Sequence, residues 1–233
     1  MPDHKKILFL RDIRFWILFF FVLRMVGITN PPLEVAHNWR QTTVTMVARN
    51  FFEVDNNIFY PRIDIWGETT GITGMEFPLL NYMHYLMAEL LGYQHWYGRL
   101  INLLISSLGI LFFYRLIKKY FSEKTAFSAA LILLVSIWLS YSRKIMPDTF
   151  SMSLIIMSIY YGSNYLDRTE KKFINLLLFG LFFMMGALSK ITSAYIFIVF
   201  ALWIFSRHIR LGRKAWLIIA GVVSSIPVLL WYF

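Results

Sequence analysis

The sequence predicts an all-α fold: a polytopic membrane helical bundle with about seven transmembrane helices and an outer first loop carrying amphipathic helices. Three observations carry that expectation. Of the 233 residues 58% are hydrophobic and only 15% charged, against about 25% charged in an ordinary soluble domain. The mean hydropathy is +0.57, and the apolar residues gather into runs at 15–28, 100–117, 126–141, 149–166, 173–189, 191–205 and 215–233, each long enough, or nearly so, to cross about 30 Å of hydrocarbon. Finally, the net charge of +10 sorts by side: with the N-terminus in the cytoplasm, the cations at 5–14, 115–124, 168–172 and 207–214 all fall on the cytoplasmic face. That sorting explains the basic excess without a nucleic-acid partner. The chain reads as one membrane domain, 1–233.

The first run follows Lys5 and Lys6, is interrupted by Arg24 and has no small-residue cleavage pattern before Pro31, so it reads as a retained signal anchor. Arg24 stands near the end of its span and is expected to snorkel to the headgroups. The stretch 29–98 is the least lipid-like and holds seven of the thirteen acidic residues. Pro31-Pro32 stops the anchor, and Asn38 is an expected N-cap for a helix from about Trp39 to Val54. Arg40 shares the stripe of Val44, Val47 and Phe51, with Arg49 and Glu53 opposite. An arginine at a helix N-terminus opposes the macrodipole unless an anion sits there. Asn56-Asn57, Pro61, Gly67, Gly71 and Gly74 mark an irregular segment. The stretch 77–93 carries Asn81, His84 and Glu89. Counting it as a span would throw the later cations outside, so it is expected along the outer interface or as a re-entrant helix. The remaining runs alternate across the membrane, with an outer turn at 143–148. The apolar run ending at Phe233 has no polar tail, as in a piece of a longer chain.

Zero cysteines exclude disulfide scaffolds, thiol nucleophiles and Cys-ligated metals. No glycine-rich phosphate loop, G-x-S-x-G elbow or H-E-x-x-H occurs. His84 and His95 lack a partner at metal-ligand spacing, so no metal site is assigned. What remains is a set of charged residues outside the cytoplasmic groups. His37, Trp39, Arg40 and Gln41 could hold an anionic headgroup, or Trp39 could be an interfacial belt residue and Arg40 a partner of Glu34. Glu76 could serve as a general base or order a cation, or be a solvated carboxylate at a helix start. Arg143 and Lys144 could bind phosphate beside Asp148, or Asp148 could cap a helix beginning at Thr149. Lys190 could counter a lipid phosphate or snorkel.

Taken together, an anchor, an outer loop with an amphipathic helix, an E-x-P and an outer P-D turn resemble the N-terminal half of the GT-C glycosyltransferases. The nearest likeness is to the protein mannosyltransferase and lipid A aminoarabinose transferase relatives. The first loop resembles a bacterial, family-39-like branch reading H-x-W-R-Q-x-x-T-x-x-x-A-R-N-F, here His37 to Phe51. It is followed by Asn57-Ile-Phe59-Tyr60-Pro61-Arg62, Glu76-Phe-Pro78-Leu, Gly98-Arg99-Leu and Met146-Pro147-Asp148. The likeness covers about residues 30 to 190.

The resemblance implies an enzyme in the bacterial inner membrane that moves a sugar, with inversion, from a polyprenyl-phosphate carrier to a glycan, lipid or protein hydroxyl of the cell envelope. On this reading Arg40, Arg62 and Lys190 hold the leaving phosphate, with His37, Trp39 and Gln41 beside them. Glu76 matches the acid before proline in the relatives' E-K-P, Asp148 an acid at their outer turn, and Lys190 a lysine after a small-residue-rich span. No cofactor is assigned, a divalent cation being the one candidate. Two departures stand out. Relatives carry an Asp-Glu pair as base where Arg40-Gln41 stands here, so either the base has moved to Glu76, Asp64 or Asp148, or the loop binds the donor differently. Relatives also have more spans and often an outer C-terminal domain. The competing class is a non-catalytic protein that binds or moves a polyprenyl lipid; a transporter fits less well, with few charges inside the spans.

Overall fold

A computed structural model describes residues 9–33, 37–64, 67–167, 172–206 and 209–233. Lys5, Lys6, Glu34, Arg168, Lys171 and Arg207, which entered the charge argument, lie outside the described residues. Among the described residues the regular structure is helical, with one isolated antiparallel bridge between Arg62 and Ile72. In chain order the helices are α1 (Ile13–Met25), α2 (Asn38–Glu53), α3 (Leu79–Leu91), α4 (Tyr97–Tyr120), α5 (Glu123–Val135), α6 (Ile137–Ser140) with the 3-10 turn Tyr141–Arg143, α7 (Pro147–Asp167), α8 (Lys172–Ser189), the 3-10 helix Ile191–Phe197, α9 (Ile198–Phe205) and α10 (Leu211–Tyr232).

α4, α8 and α10 are long and apolar enough to cross a membrane, and α5 with Ile137–Arg143 adds a fourth candidate bent by 56°. α3 has 13 residues, about 20 Å of rise, and buries the polar side chains of Asn81 and His84. α7 is buried on nearly all sides and forms the centre of the bundle, between α4 and α8; its buried serines are small enough for close helix packing. Close approach there depends on small residues. A Cβ on Gly109 would meet Ser153 at 2.5 Å, and one on Gly186 would meet Ile155 Cδ1 at 2.8 Å and the Ser151 carbonyl at 3.1 Å. Ser151 Oγ donates to the Gly186 carbonyl at 2.7 Å and Ser158 Oγ to that of Phe179 at 2.8 Å. Val44, Leu80, Ile101, Ile145, Phe150 and Leu154 join α2 and α3 to α4 and α7 in one core, which fixes the loop helices against the bundle.

Several sequence expectations shift. α2 begins at Asn38, not Trp39, and its N-cap is His37, held left-handed at φ 59° without a side-chain cap; the Asn38 amide oxygen accepts the Trp39 N–H instead. α7 begins at Pro147, where a missing N–H costs nothing, so Asp148 stands in the first turn and not at the cap. The run 126–141 is broken at Ser136, which caps α6 by accepting from the Leu139 N–H. The run 191–205 starts as a 3-10 helix. Arg24 does not snorkel: its Nη2 donates to the Leu134 carbonyl at 2.5 Å, beside the break in the α5–α6 pair. Buried Arg99 clamps the start of the first loop through the carbonyls of Ile28, Asn30 and Pro31.

Candidate functional site

Where the first loop meets the ends of the bundle helices, Arg40, Val44, Met75, Glu76, Phe77, Leu80, Asn81, Pro147 and Ser189 line a small cleft. α2 supplies Arg40 one turn before Val44. The loop ahead of α3 supplies Glu76, and its path is fixed at three points: the Phe77 N–H donates to the Leu188 carbonyl at 3.1 Å, the Trp231 indole N–H donates to the Met75 carbonyl at 3.0 Å, and the Phe77 ring stands edge-on to Trp231 at 5.0 Å. Asn81 Nδ2 donates to the Val44 carbonyl at 2.8 Å, tying α3 to α2.

Within the cleft Arg40 Nη2 donates to Glu76 Oε1 at 2.5 Å, with the side chains 30% and 25% exposed. Beside it, following Pro147 and Ser189, Lys190 Nζ is paired with Asp148 Oδ1. Two half-buried cations thus neutralise two half-buried carboxylates through charge-assisted bonds. The free volume is about 10 Å³, room for roughly one water, because the ion pair fills the space between α2 and the loop. The arrangement has fixed positive charge for a phosphate and carboxylates able to accept a proton, all at one end of the bundle.

The remaining sequence candidates fall elsewhere or at the margin. Trp39 is 72% exposed, and the His37 ring packs edge-on to Tyr141 at 5.3 Å. Gln41 is fully buried, and neither its Oε1 nor its Nε2 has a hydrogen-bond partner. Asp64 and Arg62 are not brought to the cleft. Asp64 is paired with Arg49 and accepts from Asn50 Nδ2 at 2.9 Å, about 14 Å of helix rise from Arg40. Arg62 is paired with Asp55 at 2.9 Å and donates to the Thr70 carbonyl. The Asp55 carboxyl is held below its ordinary range by the Asn57 backbone N–H first and the Arg62 guanidinium second. Arg49 ties the loop to α2 through Asp64, and Arg62 holds the loop to itself between Asp55 and Thr70. Trp231 and Tyr232, which brace the cleft from α10, were not singled out in the sequence; an aromatic pair ending an apolar run is also what an interfacial belt looks like. Among the described residues no three His, Asp or Glu side chains converge as a metal site would need.

The profile of the dolichyl-phosphate-mannose-protein mannosyltransferase family matches residues 76–231, from the cleft carboxylate to the indole that braces it. The chain belongs to this family. It is therefore an integral membrane protein and a membrane glycosyltransferase of the GT-C type, a class that works with a lipid-linked sugar donor and an acceptor. Neither the curated proteins nor the solved structures give a match. Within the family region lie Glu76, Asp148, Lys190 and Trp231, while α2 with Arg40 precedes it. The cleft is thus assembled from the family core and one helix of the preceding loop.

Proposed function

We propose that this cleft transfers a sugar from a polyprenyl-phosphate carrier to a hydroxyl of a cell-envelope glycan, lipid or protein, with inversion, at the outer face of a bacterial inner membrane. The observation that carries the reading is the Arg40–Glu76 pair. The guanidinium that occupies this carboxylate in the resting site, at 2.5 Å, is itself a fork for phosphate. A donor phosphate entering the cleft takes Arg40 and Lys190 as partners and leaves Glu76 free. The acceptor hydroxyl then gives its proton to Glu76, its oxygen attacks the anomeric carbon opposite the phosphate, and the sugar–phosphate bond breaks with its electron pair on the phosphate oxygen. Arg40 and Lys190 neutralise that charge. One in-line displacement inverts the anomeric centre. Asp148 holds Lys190 in the resting site and serves as the second carboxylate for the acceptor. Gln41, with His37 and Trp39 on the same helix start, lies on the donor's side; Asp64 and Arg62 hold the loop.

In this reading seven segments cross the membrane with the N-terminus in the cytoplasm: α1, α4, the bent α5–α6 pair, α7, α8, the 3-10 helix with α9, and α10. The pattern of cations at their ends supports it.

The second reading, a non-catalytic binder of polyprenyl lipids, is favoured by one feature: Arg40-Gln41 where relatives carry acids. The reconstituted chain with a labelled polyprenyl-phosphate sugar separates the two. Glu76→Gln is expected to lower sugar transfer by about 10²–10⁴-fold and to leave retention of the carrier lipid intact. Absence of transfer by the folded parent chain with every donor tried would overturn the enzymatic reading.

A further inference from the structure

The opposite end of the bundle carries a second cleft. Asp167 lies about 29 Å of helix rise along α7 from Asp148. There Tyr120, Asp167, Lys172, Ser206, Arg210 and Arg213 line a cavity of about 560 Å³. It shares Tyr120 and Trp203 with an apolar groove of about 970 Å³ between α4, α5, α7 and α9, whose walls include Phe113, Ile132, Ile156 and Leu202. A polar head and an apolar trough therefore adjoin across two aromatic rings.

Among the described residues the charges in the head are unbalanced. Asp167, its acid, is already neutralised by Lys119 at 2.8 Å and accepts from the Tyr120 hydroxyl at 3.1 Å. Arg213 donates to the Leu166 carbonyl at the end of α7. Lys172 and Arg210 have no ion-pair partner among the described residues. They stand at the starts of α8 and α10, which have no acid in their first turns, so the helix dipoles add to the positive potential instead of relieving it.

We propose that this end of the molecule binds one anionic phospholipid of the adjoining leaflet, its phosphate held by Lys172, Arg210 and Arg213 and one acyl chain lying in the groove. A zwitterionic lipid would leave the excess charge uncompensated, and basic pockets between membrane helices are suited to anionic head groups. The sugar donor is not the occupant, since its phosphate would then sit at the far end from Glu76. The site gives the bundle a preference for anionic lipid that is separate from sugar transfer.

The test uses the full chain in detergent, with phosphatidylglycerol, phosphatidylcholine or inorganic phosphate added, and reads bound mass by native mass spectrometry and the midpoint of thermal unfolding. One phosphatidylglycerol per chain is expected. Lys172→Gln and Arg210→Gln should each weaken its binding about fivefold, and Ile156→Trp, which fills the groove, should weaken it without loss of helical circular dichroism. Equal retention of phosphatidylcholine, equal stabilisation by inorganic phosphate, or unchanged binding by the glutamine variants would overturn the proposal. None of these readouts involves sugar transfer, so the result stands apart from the catalytic reading.

Discussion

The carbonyl of Leu188 accepts the backbone N–H of Phe77 at 3.1 Å, and the same oxygen accepts the Tyr232 hydroxyl at 3.0 Å. Glu76 precedes Phe77 and Ser189-Lys190 follows Leu188, so the acid of one ion pair and the cation of the other are positioned from a single acceptor. The Tyr232→Phe variant removes one of the two bonds. It should cost about 0.5–1.5 kcal/mol of stability and lower sugar transfer several-fold, as read by thermal unfolding beside turnover.

Arg40 and Glu76 act on each other before either acts on substrate. Truncating Arg40 to Ala leaves a half-buried carboxylate unpaired, and Glu76→Gln leaves the guanidinium unpaired. The two changes together should therefore cost less than their sum, with a coupling of about 0.5–3 kcal/mol in a double-mutant cycle on chemical unfolding. Strict additivity would mean that the pair is not formed in the membrane.

Gly186 admits α7 to within contact of α8. A Cβ there meets Ile155 and the Ser151 carbonyl, so Gly186→Ala should cost about 1–3 kcal/mol. Because Lys190 N–H donates to the Gly186 carbonyl at 3.1 Å, the displacement reaches the Lys190–Asp148 pair, and the donor KM should rise along with the loss of stability. Gly212, which has open space around the same position, provides the control.

His84 is buried on α3, stacked on Tyr93 at 5.5 Å. Its Nε2 must carry the proton, because it faces the Gln94 carbonyl at 2.9 Å, while Nδ1 has no partner. Burial lowers its pKa to about 4, below the unfolded value of about 6.5. The unfolded chain therefore binds a proton first on acidification. The contribution is complete above about pH 6.5 and is lost as the pH falls toward 4, by up to roughly 3 kcal/mol. Unfolding midpoints from pH 8 to 4 should show this slope, and His84→Gln should flatten it.

Gln41 is buried with both amide atoms unpartnered, a cost of about 1–3 kcal/mol carried by a residue next to Arg40. Replacing it by Met, similar in volume and without the polar atoms, should raise the unfolding midpoint and reduce sugar transfer. A Met variant that is both more stable and fully active would leave Gln41 without a role in the site.

The bundle was legible because lipid demands long apolar runs, and the ends of α4, α8 and α10 fall within a few residues of those runs. The amphipathic stripe of α2 was legible for the same kind of reason: Val44, Val47 and Phe51 recur at helical spacing and are buried. The meeting of Glu76 with Arg40 was not, since periodicity says which face is buried but not which of several distant acids an arginine will find. Asp64 and Arg62 had the same chemistry on paper as Glu76 and Lys190, and only the path of the loop assigns them to Arg49 and Asp55. The start of α7 at Pro147 lies two residues before the start at Thr149 that would make Asp148 a cap. The bracing by Trp231 joins segments 156 residues apart in chain order and that by Tyr232 segments 44 apart, for which no local signal exists.

Arg24 completes the account of α1. Where the α5–α6 pair bends, carbonyls lose their helical donors, and hydrocarbon offers no replacement. The guanidinium on α1 supplies one at Leu134. The first helix is therefore a splint for a fracture elsewhere in the bundle, and a chain stripped of it would lose the support of its own bent pair.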